Sequence, residues 1–154
     1  LQGDIRQIAV MLPAGAADLV VTNPPYRTPG SGRIAPVGER AGARHELAGS
    51  VADFVAAAGW LLQPGGRLAV IYLAERLTLL LTSMSMAGIE PKRLRLVHSR
   101  AAAGARLVLV EGRKGASPGM QVEKPLILHG EGAAAGKYSA EVARMYQLEQ
   151  DDED

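Results

Sequence analysis

Residues 18–26 read Asp-Leu-Val-Val-Thr-Asn-Pro-Pro-Tyr, and this stretch decides the fold. The apolar run from Leu19 to Val21 predicts a buried strand. Pro24 and Pro25 must end that strand, because proline fixes φ and has no backbone N–H to donate. Each proline also pushes the residue before it into an extended conformation, so the backbone from Asn23 to Tyr26 is expected to be stiff.

The segments that follow predict a helix, a strand, a second helix and two further strands, in that order. Pro64-Gly65-Gly66 and Gly88 are the expected helix stops. Residues 99–104 are too few for a crossover helix, so the last two strands are expected to pair antiparallel. The predicted elements are helices at 47–62 and 74–87, strands at 67–73, 93–98, 106–111 (ended by Gly112) and 122–128, and a final helix capped by Ser139.

This order of elements predicts an α/β fold with a mixed sheet, mostly parallel with an antiparallel edge strand. We expect one domain over residues 1–148. Residues 149–154 contain five acids and no base, which indicates an acidic, disordered tail. Residues 27–46 contain four Gly, two Pro and four Arg and show no helical or strand periodicity, so they predict a long loop. Loops of this length inside a compact domain more often have a function than not.

Composition excludes several classes of protein. Cysteine is absent from the 154 residues, so disulfides and thiolate zinc sites are excluded. The longest strongly apolar stretch, residues 68–74, is far shorter than the ~20 residues that span a bilayer. The start of the chain shows no signal peptide, so the cytoplasm is the default location. His98 and His129 have no carboxylate neighbours at ligand spacing, and we expect them to be surface or packing residues and no metal site to form.

The chemistry of the motif follows from its stiffness and its place at a strand end, where open α/β sheets bind ligands. The side-chain oxygen of Asn23 and the carbonyl of Pro24 can be held in fixed directions, and two such acceptors suit a planar NH2 group. Hydrogen bonds to both amine hydrogens favour a pyramidal nitrogen with a freer lone pair. Tyr26 can stack on a base, a contact worth ~1–3 kcal/mol. The alternative interpretation is a proline-rich strand end with a packed tyrosine.

Across almost its whole length the chain resembles the S-adenosylmethionine-dependent amino-methyltransferases of the class I fold. The resemblance is carried by Asn23-Pro24-Pro25-Tyr26, Gly3-Asp4-Ile5 and Pro64-Gly65-Gly66. Within that superfamily, Ala43-Arg44-His45-Glu46 and Glu111-Gly112-Arg113-Lys114-Gly115 most resemble the group that methylates N6 of adenine 37 in valine tRNA. The resemblance implies a Rossmann-like sheet, here lacking its first strands, with S-adenosyl-L-methionine as cofactor and tRNA as substrate.

The resemblance also implies a role for each matched residue. Asn23 and Pro24 would bind the target amine, Tyr26 would stack on the base, and Asp4 would contact the adenine of the cofactor. Independently of the resemblance, residues 92–114 contain seven basic residues and one acid, a net charge of +6, which is compatible with contact with the RNA backbone and equally with a solvated strand face. The expected site residues are Asn23, Pro24 and Tyr26 for catalysis, Asp4 and Asn23 for the cofactor, and Pro25, Tyr26, Arg44, His45, Lys92, Arg93 and Arg95 for the substrate.

The sequence departs from this family in one respect. Such enzymes hold the methionine part of the cofactor with a glycine-rich loop and its ribose with an acid, and both are expected before Leu1. Residues 30–35, Gly-Ser-Gly-Arg-Ile-Ala, spell a dinucleotide-type glycine pattern, but they follow a loop and not a strand. We do not expect them to bind the cofactor.

Three functions are therefore open. The first is adenine N6-methylation of RNA. The second is methylation of the glutamine side chain of a release factor, which also presents a planar NH2 group. The third is a non-catalytic remnant that binds RNA or a partner chain. Missing strands would leave a bare sheet edge, so we expect dimerisation, aggregation or pairing with an amino-terminal half.

Overall fold

A computed structural model of the protein describes residues 3–26, 49–130 and 137–151. The predicted loop at 27–46, with Arg44, His45 and the glycine pattern at 30–35, lies outside these residues. The elements are a 3-10 turn at Ile5–Gln7 with α1 (Ile8–Met11), β1 (Ala17–Thr22), α2 (Val51–Leu61), β2 (Leu62–Leu73), a 3-10 turn at Ala74–Arg76 with α3 (Leu77–Met86), β3 (Ile89–His98), β4 (Ala105–Lys114), β5 (Gln121–Val122), β6 (Leu126–Ile127) and α4 (Ala140–Asp151).

The strands form one mixed sheet in the order β1-β2-β4-β3-β5, with β6 also beside β3. Both β5 and β6 pair parallel with β3, and β1 pairs parallel with β2. Strand β4 runs antiparallel to both of its neighbours, β2 and β3. The α/β class with a mostly parallel sheet is therefore confirmed, and so is the antiparallel pairing of the last two long strands.

The position of the antiparallel strand differs from the prediction. It lies inside the sheet, because β4 pairs with β2 over Arg67–Leu73 on one side and with β3 on the other. The short turn after β3 shows that β3 and β4 are neighbours, but it does not decide which of them lies next to β2. Strand β3 follows β2 in the chain but lies two positions away from it in the sheet, and β4 then occupies the position between them.

One face of the sheet packs against α2 and α3. Helix α2 begins at Val51, after a reciprocal capping box of Ser50 and Asp53 that was not predicted, and it ends at Leu61, before Pro64-Gly65-Gly66. Gly88, with φ of 69°, follows α3 as the sequence predicts. A core of buried apolar side chains lies between the sheet and these two helices. Its members are Val51, Val55, Ala58, Leu62, Leu68, Val70, Tyr72, Leu80, Met84, Ile89, Leu94, Val108 and Val110.

Within the part of the chain that the structure describes, the opposite face of the sheet is only partly covered. Val142 of α4 packs against Val97 and Leu126 over the β3 side. Over the β1 side, Leu19 and Val21 are 48% and 73% exposed. Among the described strands β1 lies at the edge of the sheet, so apolar side chains are exposed at that edge. The prediction of a buried strand at Leu19 to Val21 is therefore wrong: Val20 is half-buried, and Leu19 and Val21 are exposed.

Three element boundaries differ from the predicted ones. Strand β2 begins at Leu62, and Pro64-Gly65-Gly66 form an irregularity within it, because Ala17 pairs with Leu62 but Leu19 pairs with Arg67. Strand β4 continues through Gly112 to Lys114. Helix α4 extends to Asp151, into the segment predicted to be a disordered tail. Glutamate and glutamine are good helix formers, which explains this extension. Residues 152–154 lie outside the described part of the chain.

None of the helices in the described residues is long and apolar enough to cross a membrane.

Glycine is required at position 112 because neighbouring atoms pack closely against it, and not because the strand ends there. A Cβ atom there would come within 2.7 Å of Ile89 Cγ2 and 3.1 Å of the Glu90 carbonyl, and it would also collide with Met84 Cε. We expect Gly112→Ala to lower the free energy of unfolding by about 1–3 kcal/mol, the usual cost of overpacking. Urea denaturation measures this, with Gly104→Ala as the control because nothing lies within 4 Å of its Cβ position. Equal midpoints for the two variants would contradict the packing argument.

Candidate active site at the end of strand β1

The motif Asn23-Pro24-Pro25-Tyr26 begins directly after β1. Thr22 pairs with Val70 of β2, so Asn23 is the first residue beyond the paired part of the strand. Pro24 is fully buried, whereas Asn23 is exposed and Tyr26 is 37% exposed. The buried proline ring anchors the backbone, and the residues on either side of it present their side chains to solvent.

Tyr26 lies next to a second tyrosine that the sequence analysis did not include in the site. The ring centroids of Tyr26 and Tyr72 are 6.1 Å apart, and the rings are tilted by 55°. Aromatic pairs at this distance attract each other beyond their burial of apolar area. Tyr72 is 2% exposed, so its ring provides a fixed support for Tyr26. The signal was present in the sequence, since strand alternation places Tyr72 on the buried face with Val70, opposite the end of β1.

Asp4 precedes the first 3-10 turn and caps it. One carboxylate oxygen accepts from the backbone N–H of Arg6 at 3.0 Å and from Arg6 Nε at 2.9 Å, and the other accepts from Arg6 Nη2. The side-chain hydrogen bond from Arg6 lowers the pKa of Asp4 from 3.8 to about 2. Asp4 is therefore ionised at neutral pH, with its carboxylate held in one orientation by Arg6.

Replacing Arg6 by glutamine is expected to return the pKa of Asp4 from about 2 toward 3.8. Because the pKa of Asp4 is lower in the folded state, its pairing stabilises the fold above pH 3.8, and this contribution disappears as the pH falls through about 2. Carbon NMR titration of the Asp4 carboxyl measures the change directly. Arg93→Gln is the control, since Arg93 pairs elsewhere; the same shift in that variant would show that local pairing is not the cause.

The basic residues proposed to contact RNA are largely paired within the chain. Arg93 lies 2.6 Å from Glu123 and 3.6 Å from Glu111, and the hydrogen bond to Glu123 raises the pKa of Arg93. Arg95 lies 2.7 Å from Glu141. These ion pairs neutralise much of the charge that the sequence alone attributes to β3.

Three more cations of residues 92–114 also have local roles. The ammonium group of Lys114 donates to the carbonyls of Gly59 and Leu62 at 2.6 and 2.7 Å, so it satisfies the end of α2. Arg113 donates to the carbonyl of Gly65 at 2.9 Å. Lys92 donates to the carbonyl of Ser117 at 3.0 Å. The seven basic residues therefore do not form a single unpaired patch.

A shallow depression extends from Asn23 to part of β3, and Pro24, Pro25 and Tyr26 are not among its lining residues. It has a volume of about 510 Å³ and lies on the sheet face opposite α2 and α3. Asn23 lines it together with Arg93 and Arg95, whereas Asp4 is not among its lining residues. Apolar side chains such as Val21, Ile71 and Leu109 form its floor. The depression thus places three of the expected site residues on one surface.

Trp60 and His98 each make a side-chain contact with a backbone carbonyl. Trp60 donates from Nε1 to the carbonyl of Leu12 at 3.0 Å, which joins α2 to the segment after α1. The Nδ1 atom of His98 lies 2.6 Å from the carbonyl of Ala103, across the turn between β3 and β4. These contacts agree with packing roles for both side chains.

Two solved structures with a similar fold are described as methyltransferases. A predicted O-methyltransferase from Agrobacterium tumefaciens matches with a TM-score of 0.73 and 20% identity, over 96% of this chain and 61% of its own. A proposed DNA modification methylase from Thermus thermophilus, solved with S-adenosyl-L-methionine, matches with a TM-score of 0.50 and 20% identity, over 80% of this chain and 56% of its own. No family model and no curated protein matches the chain. The chain has a Rossmann-like methyltransferase fold and spans less than two thirds of either structure.

Proposed function

We propose that this chain carries the amine-binding part of an S-adenosyl-L-methionine-dependent N-methyltransferase that acts on N6 of adenine in RNA, with tRNA as the substrate. The observation that carries the proposal is the motif at the end of β1: an exposed Asn23, a fully buried Pro24, and a half-exposed Tyr26 supported by Tyr72. The edge on which it lies is the one where open α/β sheets bind ligands.

In the proposed reaction the chain orients the amine. The side-chain oxygen of Asn23 and the carbonyl of Pro24 accept hydrogen bonds from the two amine hydrogens, and Tyr26 stacks on the base. S-adenosyl-L-methionine supplies the methyl group. The amine nitrogen forms a bond to the methyl carbon, the carbon–sulfur bond breaks with its electron pair remaining on sulfur, and the amine proton leaves to water. Orientation of the two reactants is the main cause of the increase in rate over the uncatalysed reaction.

Asp4 is suited to hold the adenine of the cofactor. Its carboxylate is ionised, and its side chain is 27% exposed. Both oxygens already accept from Arg6, and a carboxylate offers about four acceptor positions, so the amine of the cofactor would share the carboxylate with Arg6. Asn23 would contact both the cofactor and the target amine.

Two observations favour a base over a glutamine side chain as the methyl acceptor. The ring of Tyr26 is exposed at the motif and tilted against Tyr72, which suits stacking on a flat aromatic group. In addition, the Thermus thermophilus structure with this fold is proposed to modify DNA, and adenine presents the same kind of amine in RNA. A release-factor glutamine remains the second candidate because the two acceptors alone suit either group.

The proposal is tested by two measurements on the 154-residue chain. Calorimetric titration with S-adenosyl-L-methionine is expected to show micromolar binding, and sedimentation of the same sample shows whether a monomer or a dimer binds. Labelled cofactor is then offered with bulk tRNA or with a release factor. Label in N6-methyladenosine supports the proposal, whereas label only in the protein supports the glutamine reaction. Absence of both cofactor binding and label supports a non-catalytic remnant.

A further inference from the structure

The turn that follows Asp4 rests on the start of α2. A Cβ atom at Gly49 would lie 3.2 Å from Ile5 Cγ2 and 3.3 Å from Asp53 Oδ2, so these groups pack closely around the glycine. Gly49 also has φ of 74°, a conformation that favours glycine. The 3-10 turn is therefore fixed against the first residues of α2.

This contact brings the turn to the same edge of the sheet as the motif. Helix α2 ends where β2 begins, and Leu62 of β2 pairs with Ala17 at the start of β1. Val51 and Ala58, near the two ends of the helix, both belong to the core, so the helix lies along the sheet. The helix is about 16 Å long and β1 about 20 Å. Its first residues therefore lie near the end of β1, where Asn23 begins the motif.

Arg6 occupies most of the acceptor positions of the Asp4 carboxylate. Its backbone N–H and its Nε donate to one oxygen at 3.0 and 2.9 Å, and its Nε and Nη2 donate to the other oxygen, Nε at 3.0 Å. A carboxylate offers about four acceptor positions. Three N–H groups therefore leave about one position, and the planar guanidinium fixes its direction.

The remaining position suits one hydrogen of a planar amine. The side chains of Arg6 and Asp4 are 47% and 27% exposed, so a ligand can reach the pair. The charged group that faces Arg6 from α2 is Asp53, which is engaged in the capping box. An aspartate without a cationic partner is also ionised at neutral pH, so Arg6 contributes the direction of the acceptor and not its charge.

We propose that Arg6 is a positioning residue for the adenine of S-adenosyl-L-methionine, and that it acts through Asp4. It directs the one open acceptor position of the carboxylate toward a hydrogen of the adenine amine. This inference rests on the proposed function, in which Asp4 contacts that adenine, and it adds Arg6 and the start of α2 to the site.

The test is calorimetric titration with S-adenosyl-L-homocysteine, the cofactor without its methyl group. Asp4→Asn is expected to weaken binding about 10- to 100-fold, the usual effect of losing a hydrogen bond to a charged group. Arg6→Gln is expected to weaken binding about 3- to 10-fold, and the double variant is expected to bind like Asp4→Asn alone, because Arg6 acts through Asp4. Arg6→Lys keeps the charge without the planar fork, so it is expected to behave like Arg6→Gln.

A second ligand distinguishes positioning from a structural role. S-inosyl-L-homocysteine presents a carbonyl oxygen where the adenine amine would be, and an oriented carboxylate disfavours it. The unchanged chain is expected to bind this ligand about 10-fold or more less tightly than S-adenosyl-L-homocysteine. The ratio of the two affinities is expected to fall in Arg6→Gln and to approach one in Asp4→Asn. Loss of structure would weaken both ligands equally and leave the ratio unchanged.

Thermal unfolding is the control for folding. The pair of Arg6 and Asp4 is partly exposed, so Arg6→Gln is expected to unfold close to the temperature of the unchanged chain. Tighter binding by Arg6→Gln would show that Arg6 competes with the ligand. Additive losses in the double variant would show that the two residues act separately. Either result would overturn the inference, and so would an unchanged ratio of the two affinities.

Failure of this inference and failure of the proposed function give different results. Label in N6-methyladenosine together with equal ligand affinities of all the variants would retain the proposed function and overturn the role of Arg6. Coupled losses of ligand binding without label in RNA would retain the role of Arg6 and refute RNA methylation. Absence of S-adenosyl-L-homocysteine binding by the unchanged chain would overturn the inference.

Discussion

Replacing Asn23 by alanine is expected to lower the rate of methyl transfer to adenine by about 100- to 1,000-fold at saturating cofactor. In the proposed reaction the amine nitrogen gains positive charge as it bonds to the methyl carbon, and an oriented carbonyl dipole would stabilise that charge most in the transition state. Loss of one such preorganised group usually costs a factor of this size. The loss is expected mainly in kcat, because stacking on Tyr26 is unchanged. The measurement is a single-turnover assay with labelled cofactor and tRNA.

Asn23→Asp is the matched control. An aspartate of nearly the same shape keeps an acceptor oxygen at the same position, so it is expected to retain much more activity than the alanine variant. Asn23 is exposed, so neither change is expected to alter the free energy of unfolding by more than about 0.5 kcal/mol. An alanine variant within threefold of the normal rate would refute the assigned role. A loss that disappears at high cofactor concentration would restrict Asn23 to cofactor binding.

The elements that local sequence determines are the ones that the sequence analysis predicts well. Pro24 and Pro25 end β1 because their rings cannot continue a strand, and Gly88 follows α3 because its φ of 69° suits glycine. The short turn after β3 likewise forces an antiparallel pair. In each case the cause lies within a few residues of its effect, so a single sequence contains enough information.

Features that depend on distant residues could not be predicted in the same way. Arg93 pairs with Glu123, 30 residues away, and Arg95 pairs with Glu141, 46 residues away. Counting charges over a continuous segment therefore overestimates the basic surface of β3. Gly112 is a similar case, because the glycine that seems to end β4 is needed where Met84 approaches the sheet. Such contacts follow from the order of strands, and a hairpin alone leaves that order open.

The contact among the rings of His129, Tyr138 and Tyr146 shows the same limit. His129, Tyr138 and Tyr146 have no common period in the sequence, so nothing in the chain alone indicates that their rings lie together. The link between them is β6, which joins the sheet beside β3, and α4, which packs back over the same strands. Once these two placements are known, the three rings meet at one edge.

Replacing Tyr72 by alanine is expected to lower the free energy of unfolding by about 3–5 kcal/mol. Tyr72 is 2% exposed and lies in β2, between β1 and β4, among the buried side chains of the core. Truncation leaves a cavity that the surrounding strands cannot fill without breaking their pairing. Urea denaturation followed by circular dichroism measures the loss. Tyr72→Phe keeps the ring volume, and we expect it to cost much less than the alanine change.

The same substitution connects the core to the site. Without the Tyr72 ring, Tyr26 loses the contact at 6.1 Å that limits its orientation. At temperatures below the melting temperature of the variant, Tyr72→Ala is therefore expected to raise KM for RNA. Tyr26→Ala is expected to raise KM as well, but it removes a partly exposed ring and is expected to cost little stability. Comparison of the two variants separates support of the ring from stacking by the ring. If Tyr72→Ala unfolds more easily yet binds RNA with unchanged KM, Tyr72 serves the core alone.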